Sequence, residues 1–145
     1  MIIKIYLIIV VLVAAVAILV FNSRGGREIS QTPNQETKVS DEVVTAANPP
    51  GDSVTIPKVI LSEPGFVMIH KAVGDDSGPI VMTGDLLPAG VSTNVVVKTG
   101  IVTKVGEGYF AMLHVDNGNG VFDNPGTDPP VYFGGQIVQE KFVIE

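Results

Sequence analysis

The chain has 145 residues, a formal net charge of −6, and neither cysteine nor tryptophan. The missing cysteine excludes disulfides, thiolate metal sites, a thiol nucleophile and a lipidated cysteine. The acidic balance, with no basic patch, argues against a nucleic-acid partner. This length accommodates one domain plus an appendage.

The first element is Ile5–Phe21, "IYLIIVVLVAAVAILVF", 17 residues without a charge. As a helix it spans about 25 Å, just enough for a bilayer core of about 30 Å with help from its flanks. It shows no amphipathic period, so it does not read as a buried core helix. Residues 1–21 are therefore expected to be an uncleaved single-pass transmembrane anchor. The competing reading is a cleaved signal peptide, because Ala15-Val16-Ala17 resembles a small-residue cleavage site. The apolar run continues past that site, which favours the anchor. Lys4 precedes the segment and Arg24 and Arg27 follow it. Counted literally, these charges weakly favour a cytoplasmic C-terminal side.

Residues 22–52 are rich in Ser, Thr, Gln, Asn, Glu and Pro and poor in large apolar side chains. Such a stretch buries too little surface to offset its ordering entropy, so a flexible stalk is expected. The alternative is a folded extension of the domain that uses Val43-Val44 as an edge strand.

From Ser53 onward the pattern is β. The runs are Val54–Leu61, Gly65–Ala72, Pro79–Gly84, Ser92–Thr99, Gly108–Val115, Val131–Phe133, Gln136–Val138 and Lys141–Glu145. They are short, rich in β-branched and aromatic residues, and separated by Gly, Pro and Asp turn signals. Residues 53–145 are expected to form an all-β domain, an antiparallel immunoglobulin-like β-sandwich of seven or eight strands. Pro57 should demote the first run to an edge or split it at a bulge. The continuous apolar runs Phe66–Ile69 and Phe110–Leu113 belong in central strands covered on both faces.

Those two runs echo each other: "GFVMIH" and "YFAMLH" both read Phe-x-Met-x-His. Residues two apart in a strand share a face, so Phe66, Met68 and His70 project together, as do Phe110, Met112 and His114. Two histidines with two methionines would make a soft site for Cu(I). Two histidines with Asp116 would instead suit Zn(II) or Ni(II). The structural alternative is core methionines, with each histidine bonded to a backbone carbonyl at a strand end. A hydrolase-type role would need a nucleophile, and no nucleophile elbow is present.

After His114 comes "DNGNGVFDNPGTDPPV". Asp116, Asn117, Asn119 and Asp123 are candidate Ca2+ ligands, since calcium takes several oxygens from one tight segment. The spacing is unfavourable. From Asp116, positions 3 and 5 are Gly118 and Gly120; from Asn117, position 5 is Val121. Asn-Gly pairs also supply the positive φ that turns need.

Gly65–His70, Asn94–Val97, Ala111–Asp116 and Pro125–Val131, with the closing "GGQIVQEKFVI", resemble a family of prokaryotic surface domains known as domain of unknown function 7282, over almost all of residues 53–145. The resemblance implies a domain outside the cytoplasm behind a signal sequence or anchor, and it overrides the weak charge count on orientation. It keeps both histidine positions but does not ask for methionine at 68, which weakens a methionine-rich copper site. Its Asn-Gly-Asn-Gly portion varies, so calcium would not be a family-wide function. Asn124 stands where an aromatic residue commonly precedes Pro-Gly. The resemblance brings no activity, so the histidines transfer as positions only.

The expectation is a cell-surface module, N-terminus cytoplasmic, attached to the membrane by its helix. Its role is binding or structural, without catalysis and with no resident cofactor, and its partner is an unidentified protein or surface polymer. Metal handling through His70 and His114 is the second reading, and a hydrolase a remote third.

Overall fold

The computed structural model describes residues 40–98 and 100–145. The expected anchor, residues 1–21, and the expected stalk as far as residue 39 lie outside the described residues. Among the described residues no helix is long and apolar enough to cross a membrane.

Among the described residues nine strands form in chain order: β1 (Glu42–Val44), β2 (Ser53–Leu61), β3 (Gly65–Val73), β4 (Asp76–Thr83), β5 (Gly90–Lys98), β6 (Gly108–Val115), β7 (Tyr132–Phe133), β8 (Gln136–Ile137) and β9 (Gln139–Val143). They make a three-stranded sheet in the order β1-β2-β5, a four-stranded sheet in the order β4-β3-β6-β9, and the β7-β8 hairpin. Every ladder is antiparallel. The all-β antiparallel expectation therefore holds for the described residues.

Both larger sheets contribute to one apolar cluster. Val54, Ile56, Val59 and Leu61 of β2 and Val97 of β5 share it with Val67 and Ile69 of β3 and with Tyr109, Ala111 and Leu113 of β6. The arrangement is sandwich-like, and each fully buried aliphatic side chain contributes about 1.5–3 kcal/mol. β3 and β6 occupy the centre of the larger sheet, as their unbroken apolar runs predict. Residues 65–70 and 109–114 are all buried, so alternate residues face away from the shared core and are still covered.

The folded region begins earlier than the sequence suggests. Residues 42–44, expected within the stalk, form β1 and pair with residues 58–60 of β2. Asn48 then locks the segment in place. It is buried, its Oδ1 accepts from Thr55 N at 2.7 Å, and its Nδ2 donates to Thr55 O at 3.2 Å. Its backbone N–H donates to Val143 O, and its carbonyl accepts from Glu145 N. One asparagine thus ties β2 of one sheet to the end of the other. A polar composition concealed this, because the segment is held by hydrogen bonds and one buried valine, Val43, rather than by an apolar stripe.

Pro57 lies in a strand flanked on both sides, β2, and not at an edge. It falls where β1 has ended, and in the β2–β5 ladder the Pro57–Asn94 pair alone is missing, the register being the same on either side, Ile56↔Val95 and Lys58↔Thr93. The residue left opposite, Asn94, has φ of 53°. The buried face moves there from Val54 and Ile56 to Val59 and Leu61, yet β2 runs unbroken from Ser53 to Leu61 with one register, so Pro57 neither puts the strand at the sheet edge nor splits it at a bulge.

A polar cluster closes the far end of the β3–β6 ladder. Lys71 is opposite Tyr109, and its ammonium sits 4.4 Å above the tyrosine ring and 2.9 Å from Glu107 Oε1. The Tyr109 hydroxyl donates to Glu107 Oε2 at 2.7 Å, and Lys104 N–H donates to the same oxygen. The tyrosine hydrogen bond first, then Lys71, hold the Glu107 carboxyl at about 2, far below its usual range. A carboxyl depressed on folding stabilises above its unfolded pKa and loses that contribution as pH falls towards the folded one. Glu107→Gln should therefore be less stable than the parent at pH 7. The gap should close between about pH 4.5 and about pH 2 in chemical denaturation followed across pH.

Candidate functional site: a buried histidine pair

The register of β3 against β6 places Phe66 opposite His114, Met68 opposite Met112, and His70 opposite Phe110. Because the strands are antiparallel, the echoed Phe-x-Met-x-His runs become a local two-fold arrangement centred on the methionine pair. All six residues project from the face turned away from the shared core, yet none is more than 8% exposed. Part of the cover is Phe122, whose ring meets His114 edge-on at 5.5 Å and Phe66 at 5.8 Å.

The histidines come together. Their ring centroids are 6.0 Å apart and their planes lie within 13° of parallel. The two rows that carry them are four residues apart along the ladder, about 13 Å at 3.3 Å per residue. The rings must therefore incline towards each other across the methionine row.

Each ring is fixed in the same way. His70 Nδ1 lies 2.7 Å from Gly78 O, on the strand flanking β3. His114 Nδ1 lies 2.7 Å from Asp128 O, in the segment flanking β6. A carbonyl can only accept, so both Nδ1 atoms carry a proton, and in a neutral ring it is Nε2 that carries the lone pair. Each Nε2 is buried and has no hydrogen-bond partner among the described residues. Burial, countered by the Asp128 carbonyl and reinforced by the neighbouring His70, holds the His114 pKa below its ordinary value. The ring is thus neutral at pH 7 and able to donate its lone pair.

Donation of the second ring N–H to a carbonyl is the usual way a ligating histidine is oriented. Two imidazoles bonded through Nε2 to one ion, about 2 Å from each nitrogen, have centroids about 5–6 Å apart. The observed separation falls in that range, and because the rings are stacked in near-parallel planes, one ring has to turn for both lone pairs to meet a single ion. Sequence reasoning missed one neighbour. Gln139 of β9 lies opposite Met112 on the same face, and its Oε1 is also buried without a partner. The three buried side-chain atoms left without a partner among the described residues therefore share one face. A lone glutamine on a short strand carries no sequence signal for this; only the β6–β9 register brings it in.

The expected acidic ligands are placed otherwise. Asp116 accepts from Gly120 N at 3.0 Å, and no group of three or more His, Asp or Glu side chains assembles among the described residues. In the loop, Asp123 accepts from the side-chain amides of Asn117 and Asn119. Asn117 and Asn119 side-chain oxygens accept from the N–H groups of Asn119 and Val121. Asp128 is fully buried and accepts from Asp123 N at 2.7 Å and from Asn117 N at 3.0 Å. These N–H groups, that of Asp123 foremost, hold its carboxyl below the usual range.

The oxygens that suggested a calcium loop are engaged by the loop's own donors. Thermal unfolding of the full chain in millimolar calcium should give the same midpoint as unfolding in chelator. A calcium ion bound only by the folded state would raise it.

No curated protein and no solved structure matches the chain. The family described as a domain of unknown function, DUF7282, matches residues 39–145. Its start agrees with the fold, since it takes in β1 and Asn48. On that match, which covers well over half of the sequence, the chain belongs to the DUF7282 family.

Proposed function

We propose that the chain is a membrane-tethered, extracytoplasmic domain of immunoglobulin-like sandwich form that binds a transition-metal ion and performs no catalysis. The observation that carries the reading is the histidine pair. Two parallel rings stand 6.0 Å apart, each anchored through Nδ1 and each with an unpaired, buried Nε2. A histidine acting as general base in a triad is oriented by a carboxylate and faces a nucleophile. Here both orienting groups are backbone carbonyls, which favours ligation. The tether rests on the uncharged run Ile5–Phe21, and the outside placement on what the resemblance implies, that such domains lie outside the cytoplasm.

Binding should appear as stabilisation. An ion held only by the folded state at about 100 times its dissociation constant adds about 2.7 kcal/mol, roughly 10–20 °C for a domain of about 100 residues. The full chain in detergent should show such a rise with at least one of Zn(II), Ni(II) or Cu(I). His70→Asn keeps an amide donor for Gly78 O and removes the Nε2 lone pair, so the variant should fold and lose the rise. An unchanged midpoint with all three ions would overturn the reading.

The orientation is tested separately. Protease added to intact cells should remove residues 40–145 while leaving the anchor segment in the membrane. Protection until lysis would place the domain inside.

A further inference from the structure

Four uncharged donors lie on the outer face of the β3–β6 ladder. The rows Phe66–His114, Met68–Met112 and His70–Phe110 are consecutive on that face, so the methionine pair lies between the two histidine rows. Met68 and Met112 are 0% and 4% exposed. Thioether sulfur is a soft donor and imidazole a borderline one, a combination suited to Cu(I).

Charge points the same way. Both histidines are bonded to neutral carbonyls, the thioethers are neutral, and so is Gln139 in the next position of the methionine row. Two carboxylates lie near His114: Asp116 is engaged by the Gly120 N–H, and the buried Asp128 carboxylate, the one carboxylate whose charge acts on the His114 ring, is engaged by the Asp123 and Asn117 N–H groups. A divalent ion buried among neutral donors would keep its full double charge in a medium of low dielectric, whereas a monovalent ion keeps half of it. Structural zinc also wants four nitrogen, thiolate or carboxylate ligands, and this face offers two.

We propose that the histidine pair, with Met68 and Met112, is a Cu(I) site: His70 Nε2 and His114 Nε2 supply the nitrogens and the two thioethers the sulfurs. This assignment rests on the metal-binding reading above and narrows it to one ion and one donor set.

The test uses the full chain purified in detergent and kept anaerobic. Cu(I) is competed against a chromophoric Cu(I) chelator, Zn(II) and Ni(II) are titrated in parallel, and X-ray absorption is recorded at the copper edge. The expected result is one Cu(I) per chain with both nitrogen and sulfur in the first coordination shell. Met68→Leu with Met112→Leu is close to volume-conserving. It should remove the sulfur shell and weaken Cu(I) at least about tenfold, since loss of even an outer-shell partner costs about 10–100-fold. Zn(II) or Ni(II) binding without Cu(I) would overturn the copper assignment and leave the metal-binding reading standing. Cu(I) bound without sulfur, at an affinity unmoved by the methionine changes, would also overturn it. No ion bound would overturn both readings and leave a histidine pair bridged by water. If the double variant fails to fold, the sulfur shell of the unaltered chain decides by its presence or absence.

Discussion

The pairing of β3 with β6 is the constraint from which the rest follows. Both strands are buried on both faces, so every side chain along residues 65–70 and 109–114 must find a place inside. One alternating set, Val67, Ile69, Tyr109, Ala111 and Leu113, joins the core shared with the other sheet. The other set holds the histidines and methionines. A slip of one residue in either strand would exchange its two sets, driving a histidine into the shared core. The register is pinned at one end by Gly65, where a Cβ would collide with the His114 carbonyl. At the other end Lys71 meets Tyr109 and Glu107.

The segment after β6 is best understood as the support of that outer face. Asp128 joins the two: its carbonyl accepts from His114 Nδ1, and its carboxylate gathers the N–H groups of Asn117 and Asp123. Phe122, carried by the same loop, lies against His114 and Phe66. Residues 129–131 then run beside the end of β6, through Val115 N to Pro129 O and Val131 N to Leu113 O. The acidic and amide side chains order a loop, and the ordered loop fixes one imidazole. The oxygens that look like cation ligands in the sequence act on the metal question only indirectly, through the ring they orient.

Much of this was legible because it rests on period and repetition. Alternation and turn residues mark the strands. The unbroken runs mark β3 and β6 as central, and the repeated Phe-x-Met-x-His marks a common face. What the sequence concealed depends on register and on hydrogen bonds across the fold. Residues 42–48 read as stalk because Asn48 does through four hydrogen bonds to two distant strands what an apolar stripe does elsewhere. Pro57 read as either an edge or a break, and the pairing shows neither, because β2 continues through it in one register. Asp116 read as a ligand because it is two residues from His114 and so nominally on its face. The strand ends at Val115, however, and the carboxylate turns to Gly120. Gln139 was invisible until β9 was laid beside β6.

A buried imidazole lone pair without a partner is a standing cost to the fold, about 1–3 kcal/mol for each such group. At this face the cost could easily be avoided. The neighbouring positions are filled by Phe66, Met68, Phe110 and Met112, so phenylalanine or leucine at 70 and 114 would bury as well and remove the unpaired Nε2 atoms, while costing the Gly78 and Asp128 carbonyls their side-chain donors. Packing alone therefore does not account for two histidines here; the Nδ1–H bonds to Gly78 O and Asp128 O account for one nitrogen of each ring and leave the buried Nε2 atoms unexplained. Burial that keeps His114 neutral works against any role as a charged group and in favour of one as a donor. Protons and metal ions compete for the same Nε2, and the covered, carbonyl-anchored face tilts that competition towards the ion. The methionine row between the rings then decides which ion gains most, because it adds soft donors without adding charge.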